Sequence, residues 1–280
     1  MNTRALLLGG LLAFMTRGVI GGEPSISVKI EVQEPAGAER KAGHVTSGIP
    51  LPEGFRSLDK LVLKDAKGQP VPCQFAPLGK RAGGEPYWAL LDFQSDVPAR
   101  GKAEFLLESS GGNPAPARPL KIADDKQSIT VDTGPLKFRV SRTKFNFLDA
   151  AWLDGEKVLE RKDASFWIVE GAKDNRLDSL GAPPYKVELE YAGPMRACIR
   201  VDGTYVKENL YYLEYTCRIE AFAGKPFLAV SWKLRNSHPE WAFNAYIKDV
   251  ALETALTGGG EVLNPADARA GWAAVAGDKA

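Results

Sequence analysis

Histidine occurs twice and cysteine three times in 280 residues, and their spacing suits no zinc centre. A Gly-rich phosphate loop and a Gly-x-Ser-x-Gly turn are both missing, which argues against nucleotide-dependent and serine-hydrolase chemistry. An excess of charge of one sign is lacking too. The 36 Lys and Arg against 35 Asp and Glu leave +1, too weak a field to gather nucleic acid or an anionic membrane. Beyond residue 22 no apolar run is long enough to span a bilayer. A sustained 3.6-residue apolar period with caps is also absent, apart from a weak one in the Ala-rich stretch 265–274. No metal and no cofactor is expected.

The first 22 residues have the three parts of a secretory signal. A positive start at 1–4 precedes a short apolar run at 5–15, and Val19 and Gly21 offer small residues for cleavage near Gly22. The expectation is a secreted or periplasmic protein, with an uncleaved anchor as the alternative that Thr16 and Arg17 leave open. Export invites a disulfide, yet the pattern argues against pairing Cys198 with Cys217. Ala197, Ile199 and Val201 form one apolar face, which puts Cys198 on the other face with Arg196 and Arg200. Leu213, Tyr215, Cys217, Ile219 and Ala221 form the apolar face of the next strand. A register joining the two apolar faces sets the sulfurs on opposite sides of the sheet. Three buried or half-buried thiols are the expectation.

The remaining chain reads as short alternating segments bounded by Gly, Pro, Asn and Asp, which predicts an all-β fold. Strands are expected at 25–32, 60–63, 71–75, 87–93 and 103–108. After a Ser-, Gly-, Asn- and Pro-rich stretch at 109–119, which reads as a linker, they resume at 128–132, 136–142, 146–153, 165–169, 186–191, 196–201, 211–222, 227–234 and 242–252. Asp154-Gly155, Asp202-Gly203 and Gly224-Lys225 mark turns. The expected organisation is a signal at 1–22, a first domain at 23–110 and a second at 111–280. Residues 272–275 look like the start of a further strand, and the end at Ala280 without a closing strand reads as a truncated sandwich.

Three blocks, Gly43-His44-Val45-Thr46-Ser47-Gly48-Ile49-Pro50, Gly68-Gln69-Pro70-Val71-Pro72-Cys73-Gln74-Phe75 and Trp88-Ala89-Leu90-Leu91-Asp92-Phe93, resemble the N-terminal RIFT-barrel domain of the PcRGLX/YetA-like family of exo-rhamnogalacturonan lyases. Two more, Thr133-Gly134-Pro135-Leu136-Lys137-Phe138-Arg139 and Ala221-Phe222-Ala223-Gly224-Lys225-Pro226-Phe227, resemble the start of that family's central β-sandwich. The resemblance implies an N-terminal RIFT-type β-barrel followed by an incomplete β-sandwich. It implies a parent polysaccharide lyase that acts at chain ends of rhamnogalacturonan, the alternating rhamnose and galacturonate backbone of pectin. The family's helical toroid is not in these 280 residues, so no catalytic residue is carried over. A free-standing carbohydrate-binding or cell-surface β-module is the alternative. A saccharide is the expected partner in both readings.

Uronate β-elimination needs a base for the C5 proton, cationic neutralisation of the carboxylate and often an acid for the leaving oxygen. The segment Arg235-Asn236-Ser237-His238-Pro239-Glu240-Trp241 best combines such groups with an aromatic ring. Arg235, Asn236, His238 and Trp241 are therefore the candidate carbohydrate-binding residues, although Asn-Ser-His-Pro also suits a plain turn. Tyr205, Tyr211, Tyr212 and Tyr215 suggest either a stacking platform or simple strand propensity. Trp152, Trp167 and Trp232 read as core, and one of Tyr87 and Trp88 is expected to be buried.

Overall fold

The computed structural model describes residues 22–159, 165–171, 175–207, 210–237, 244–253, 261–267 and 271–276. Their regular secondary structure is nearly all strand, with one short 3-10 turn at Leu58–Lys60 among the described residues. No described helix is long and apolar enough to cross a membrane. The signal-like residues 1–21 lie outside the described residues. By contact the chain divides into two compact units, one up to Pro119 together with Gly193–Arg196, the other Leu120–Ala192 with the chain from Ala197.

The first unit contains β1 (Ser27–Gln33), β2 (Arg40–Pro50), β3 (Leu61–Asp65), β4 (Pro70–Val71), β5 (Cys73–Lys80), β6 (Pro86–Val97) and β7 (Lys102–Ser109). They form one sheet in the order β1-β7-β3-β4 and another in the order β2-β6-β5. Neither sheet closes on itself, so the expected barrel stands here as two open sheets over one core. Pro72 explains the switch between them. It has no N–H to give a ladder, and the run 70–80 breaks there, β4 pairing with β3 and β5 with β6. Alternation sends Val28, Ile30, Leu61, Leu63, Phe105 and Leu107 inward from one sheet, and Val45, Ile49, Leu91 and Phe93 from the other. Phe93 meets Phe105 edge-on at 4.9 Å between ring centroids.

β2 is not among the expected strands. Its inward positions Val45 and Ile49 alternate with His44, Thr46 and Gly48, so its apolar signal is thin. Tyr87 and Trp88 depart from expectation in another way, since both are about two-fifths exposed. Each rests on a glycine instead of in the core. A Cβ on Gly79 would stand 2.3 Å from the Tyr87 ring, and one on Gly48 would stand 3.2 Å from Trp88.

The second unit contains β8 (Lys121–Asp124), β9 (Ser128–Asp132), β10 (Leu136–Ser141), β11 (Ala150–Leu153), β12 (Glu156–Leu159), β13 (Ser165–Glu170), β14 (Arg176–Asp178), β15 (Lys186–Ala192), β16 (Arg196–Lys207), β17 (Leu210–Phe222), β18 (Leu228–Arg235) and β19 (Ile247–Glu253). The sheets run β12-β11-β10-β9-β8, β15-β16-β17-β18 and β14-β13-β19. Ile129, Val131, Phe138 and Val140 from the first of these share one core with Ile199, Val201, Leu213 and Ile219 from the second. Phe145 joins them, its ring centroid 5.6 Å from both Phe166 and Tyr215. The strand expected at 146–153 begins only at Ala150, because Phe147 has a φ of 63°, outside extended geometry. Two further strands, β20 (Glu261–Asp267) and β21 (Gly271–Ala276), pair antiparallel. The described residues of the Ala-rich stretch, 265–267 and 271–274, are therefore strand where its weak periodicity suggested helix, and the strand expected at 272–275 is present.

The three cysteines are buried and none is in a disulfide. Cys217 lies in the core, whereas Cys198 faces Glu190 at 3.6 Å on the other side of the sheet. Burial pushes the Cys73 thiol up to about 12 and the Cys217 thiol well above its ordinary value.

Candidate functional site

The loop favoured by the sequence is only partly described. Arg235 ends β18 directly across from Glu214 on β17 and ion-pairs with it. That pair occupies the guanidinium intended for a sugar. Asn236 and Ser237 follow, exposed and each with a partner of its own, and His238 and Trp241 lie outside the described residues. The tyrosine platform is not formed by its described members. Tyr205, Tyr212 and Tyr215 are buried in the core, with the Tyr205 hydroxyl donating to the Phe166 carbonyl at 3.1 Å.

Two of the three tryptophans expected in the core are elsewhere. Trp232 packs against the core. Trp152 and Trp167 are half-buried outside it, Trp167 under the Arg176 guanidinium at 4.9 Å. The placement of Trp152 follows from a two-residue turn. Asp154 and Gly155 have φ values of 49° and 88°, the pair of positive values that a type I′ hairpin requires. This sets Leu153 opposite Glu156 and Trp152 opposite Lys157, and a bulge follows between Ala151 and Trp152. On its other side Trp152 pairs with Lys137, Lys137 with Asp132, and Asp132 with Lys121. One cross-strand row thus reads Lys121, Asp132, Lys137, Trp152, Lys157 across five strands. Phe138, Val131 and Leu159 occupy the inward positions of the same sheet. The Lys137 and Lys157 ammonium groups stand 5.5 and 5.7 Å from the indole centroid. An open groove of about 240 Å³ runs beside the ring, lined by Asp132, Gly134, Pro135, Lys137, Trp152 and Gly155. Asp132 accepts from the Gly134 N–H at 2.8 Å.

A different cluster lies on the first unit. Thr46, Asp92 and Gln74 are cross-strand neighbours on β2, β6 and β5. The Thr46 hydroxyl donates to Asp92 Oδ1 at 2.6 Å. His44 Nε2 lies 2.6 Å from that hydroxyl and 3.3 Å from the same carboxylate oxygen. Arg196 Nη1 stands 3.3 Å from Asp92 Oδ2, and the Gln74 carboxamide oxygen accepts from the Met195 and Arg196 N–H groups at 2.8 and 2.9 Å. Burial pushes the Asp92 carboxyl up. The His44 and Thr46 bonds and the Arg196 charge outweigh it and hold the group below its ordinary value. Histidine, hydroxyl and carboxylate are the parts of an acid–base relay. Here the hydroxyl is spent on a carboxylate with no exposed surface, so the arrangement pins strands and Gly193–Arg196 together. Gly193 is required there, since a Cβ would lie 2.3 Å from the Gln74 oxygen. A hollow of about 500 Å³ beside Gly22 has its Glu23 carboxylate already engaged by the Arg56 and Ser57 N–H groups.

Residues 120–254 match the sequence profile of the PcRGLX-like protein central beta sandwich domain. The chain thus carries a PcRGLX-like central beta sandwich domain. It is 20% identical over 202 residues to a Bacillus subtilis (strain 168) protein named uncharacterized protein YetA, a match covering 68% of this chain and 23% of that one. The chain thus spans under a quarter of that relative's length. A crystal structure of a protein in the glycosyl hydrolase family 38 from Enterococcus faecalis superposes with a TM-score of 0.48 at 11% identity, covering 75% of this chain and 31% of the other.

Within the PcRGLX-like sandwich, the two blocks that carry its resemblance meet. The Thr133 hydroxyl donates to the Lys225 carbonyl at 2.7 Å, and the Gly224 N–H donates to the Thr133 carbonyl at 2.8 Å. Thr133 Oγ1 also accepts the Leu136 N–H at 3.0 Å. The turn so held, Thr133-Gly134-Pro135, forms one wall of the Trp152 groove. The sequence offered one signal for this groove, the Asp-Gly turn two residues after Trp152. Reading Ala150-Ala151-Trp152-Leu153 as a uniformly apolar strand hid it.

Proposed function

We propose that this chain is the noncatalytic N-terminal portion of an exported polysaccharide lyase similar to exo-rhamnogalacturonan lyases, and that it contributes to holding the pectin backbone. The observation that carries the reading is the PcRGLX-like central sandwich at 120–254. The resemblance of the 43–93 blocks to the family's N-terminal domain supports it. So does the state of the polar groups. The buried His44–Asp92–Arg196 cluster is committed to holding strands, and Arg235 to Glu214, which leaves neither poised as base or acid for elimination.

The second reading, a carbohydrate-binding β-module without catalysis, draws on the outward Trp152 with its flanking lysines. Incubation with rhamnogalacturonan oligosaccharides separates these readings from an active lyase. The expected outcome is retention of the chain on immobilised rhamnogalacturonan with no rise in the ultraviolet absorbance of unsaturated product. Formation of that product would refute a noncatalytic role, and absence of retention would refute the saccharide partner.

A further inference from the structure

Trp152 stands outward between two ammonium groups, and folding stability alone does not favour that position. Two cation–π contacts at an exposed site are worth about 1–2 kcal/mol together. Trp152 is half-buried, and burying the rest of an indole would contribute roughly 2–3 kcal/mol more. Lys137 has no carboxylate within 4.0 Å among the described residues, so its charge faces the ring and the groove. Asp132 offers an acceptor on the opposite wall, held by the Gly134 N–H, and the wall itself is clamped by Thr133.

We propose that the Trp152 groove is a subsite for an acidic sugar residue, with the pyranose C–H face against the indole and the uronate carboxylate toward Lys137. The substrate class rests on the reading above; the site, on the outer face of the sandwich sheet, goes beyond it. The chemistry is complementary group by group. An aromatic ring suits the apolar face of a sugar, the Lys137 ammonium suits a carboxylate, and Asp132 suits a hydroxyl donor. A groove of about 240 Å³ has room for one ring and is open for a chain to continue. It is walled by glycines at positive φ, Gly134 at 103° and Gly155 at 88°, which place no side chain in the way.

The test is titration of the full chain with trigalacturonate and with neutral galactotriose, followed calorimetrically, beside affinity electrophoresis in rhamnogalacturonan. Trp152→Ala and Lys137→Gln are each expected to weaken trigalacturonate binding on the order of tenfold or more. Trp88→Ala, on the first unit, leaves it unchanged, and galactotriose binds far more weakly than trigalacturonate. Lys137 is exposed, so its variant keeps the wild-type melting midpoint and remains informative if Trp152→Ala unfolds. Equal binding of the two trisaccharides, wild-type affinity in both the Trp152 and Lys137 variants, or no trigalacturonate binding at all overturns the subsite. Trigalacturonate binding through Trp152 without affinity for rhamnogalacturonan upholds the subsite and sinks the pectin-backbone reading. Rhamnogalacturonan binding that survives Trp152→Ala does the reverse.

Discussion

Replacing Asp92 by Asn removes one charge from a fully buried carboxylate while conserving its shape. The new carboxamide would keep an acceptor for the Thr46 hydroxyl, but Arg196, whose side chain is only 7% exposed, would lose the Asp92 charge beside it. Breaking one partner of a buried ion pair typically costs about 3–5 kcal/mol. The retained Thr46 bond puts this variant near the lower figure. For a unit of this size that is a fall on the order of 15 °C in melting midpoint. Calorimetry measures it, and hydrogen exchange in peptides covering β2 and β6 localises it. The pH dependence has a definite sign. The folded carboxyl sits below its ordinary value, so its stabilisation is fully present above the unfolded aspartate pKa of about 3.9 and is lost as pH falls through the folded one. The gap between wild type and Asp92→Asn is therefore widest near neutrality and closes in acid. The double variant Asp92→Asn/Arg196→Met, which removes the buried guanidinium together with the carboxylate, should recover most of the loss. A loss below about 1 kcal/mol, a gap that persists undiminished in acid, or a double variant as unstable as the summed singles would refute this account of the cluster.

Two further outcomes follow from close packing and burial. Gly203→Ala puts a Cβ 2.2 Å from the Tyr215 hydroxyl, and Tyr215 is itself buried in the core. Destabilisation of the second unit by about 1–3 kcal/mol is expected, and unaltered urea unfolding would contradict it. Thiol reactivity depends on thiolate and access, and all three cysteines are buried. Iodoacetamide at pH 8 should leave the native chain unlabelled and add three groups after denaturation, counted by mass spectrometry. Rapid native labelling would show that these thiols are not enclosed.

The split of cysteine faces shows how far alternation reaches. Period two assigns Cys217 to the apolar face and Cys198 to the other, and the core contains the first and not the second. The same rule fails for Trp152. Both neighbouring positions, Ala151 and Leu153, are apolar, so the pattern does not say which face is inward, and the turn at Asp154-Gly155 settles it. Trp88 escapes for a related reason, since its resting place on Gly48 lies on another strand. The candidate loop at 235–241 rests on residue types close in sequence, yet Arg235 is taken up by Glu214, 21 positions away.

An all-β chain, most of its strand positions, the absence of a disulfide among its cysteines and the resemblance to a PcRGLX-like sandwich were all legible in the order of residues. Backbone alternation and turn chemistry are local, and a few neighbouring residues encode them. Which distant residues become neighbours emerged only on folding. Asp92 meets Arg196 across 104 positions, and Thr133 meets Lys225 across 92. Lys137, Trp152 and Lys157 line up only because three strands pair in one register. Charge and aromatic rings act through space over a few ångströms, so any site they build exists only once the sheet has brought them together.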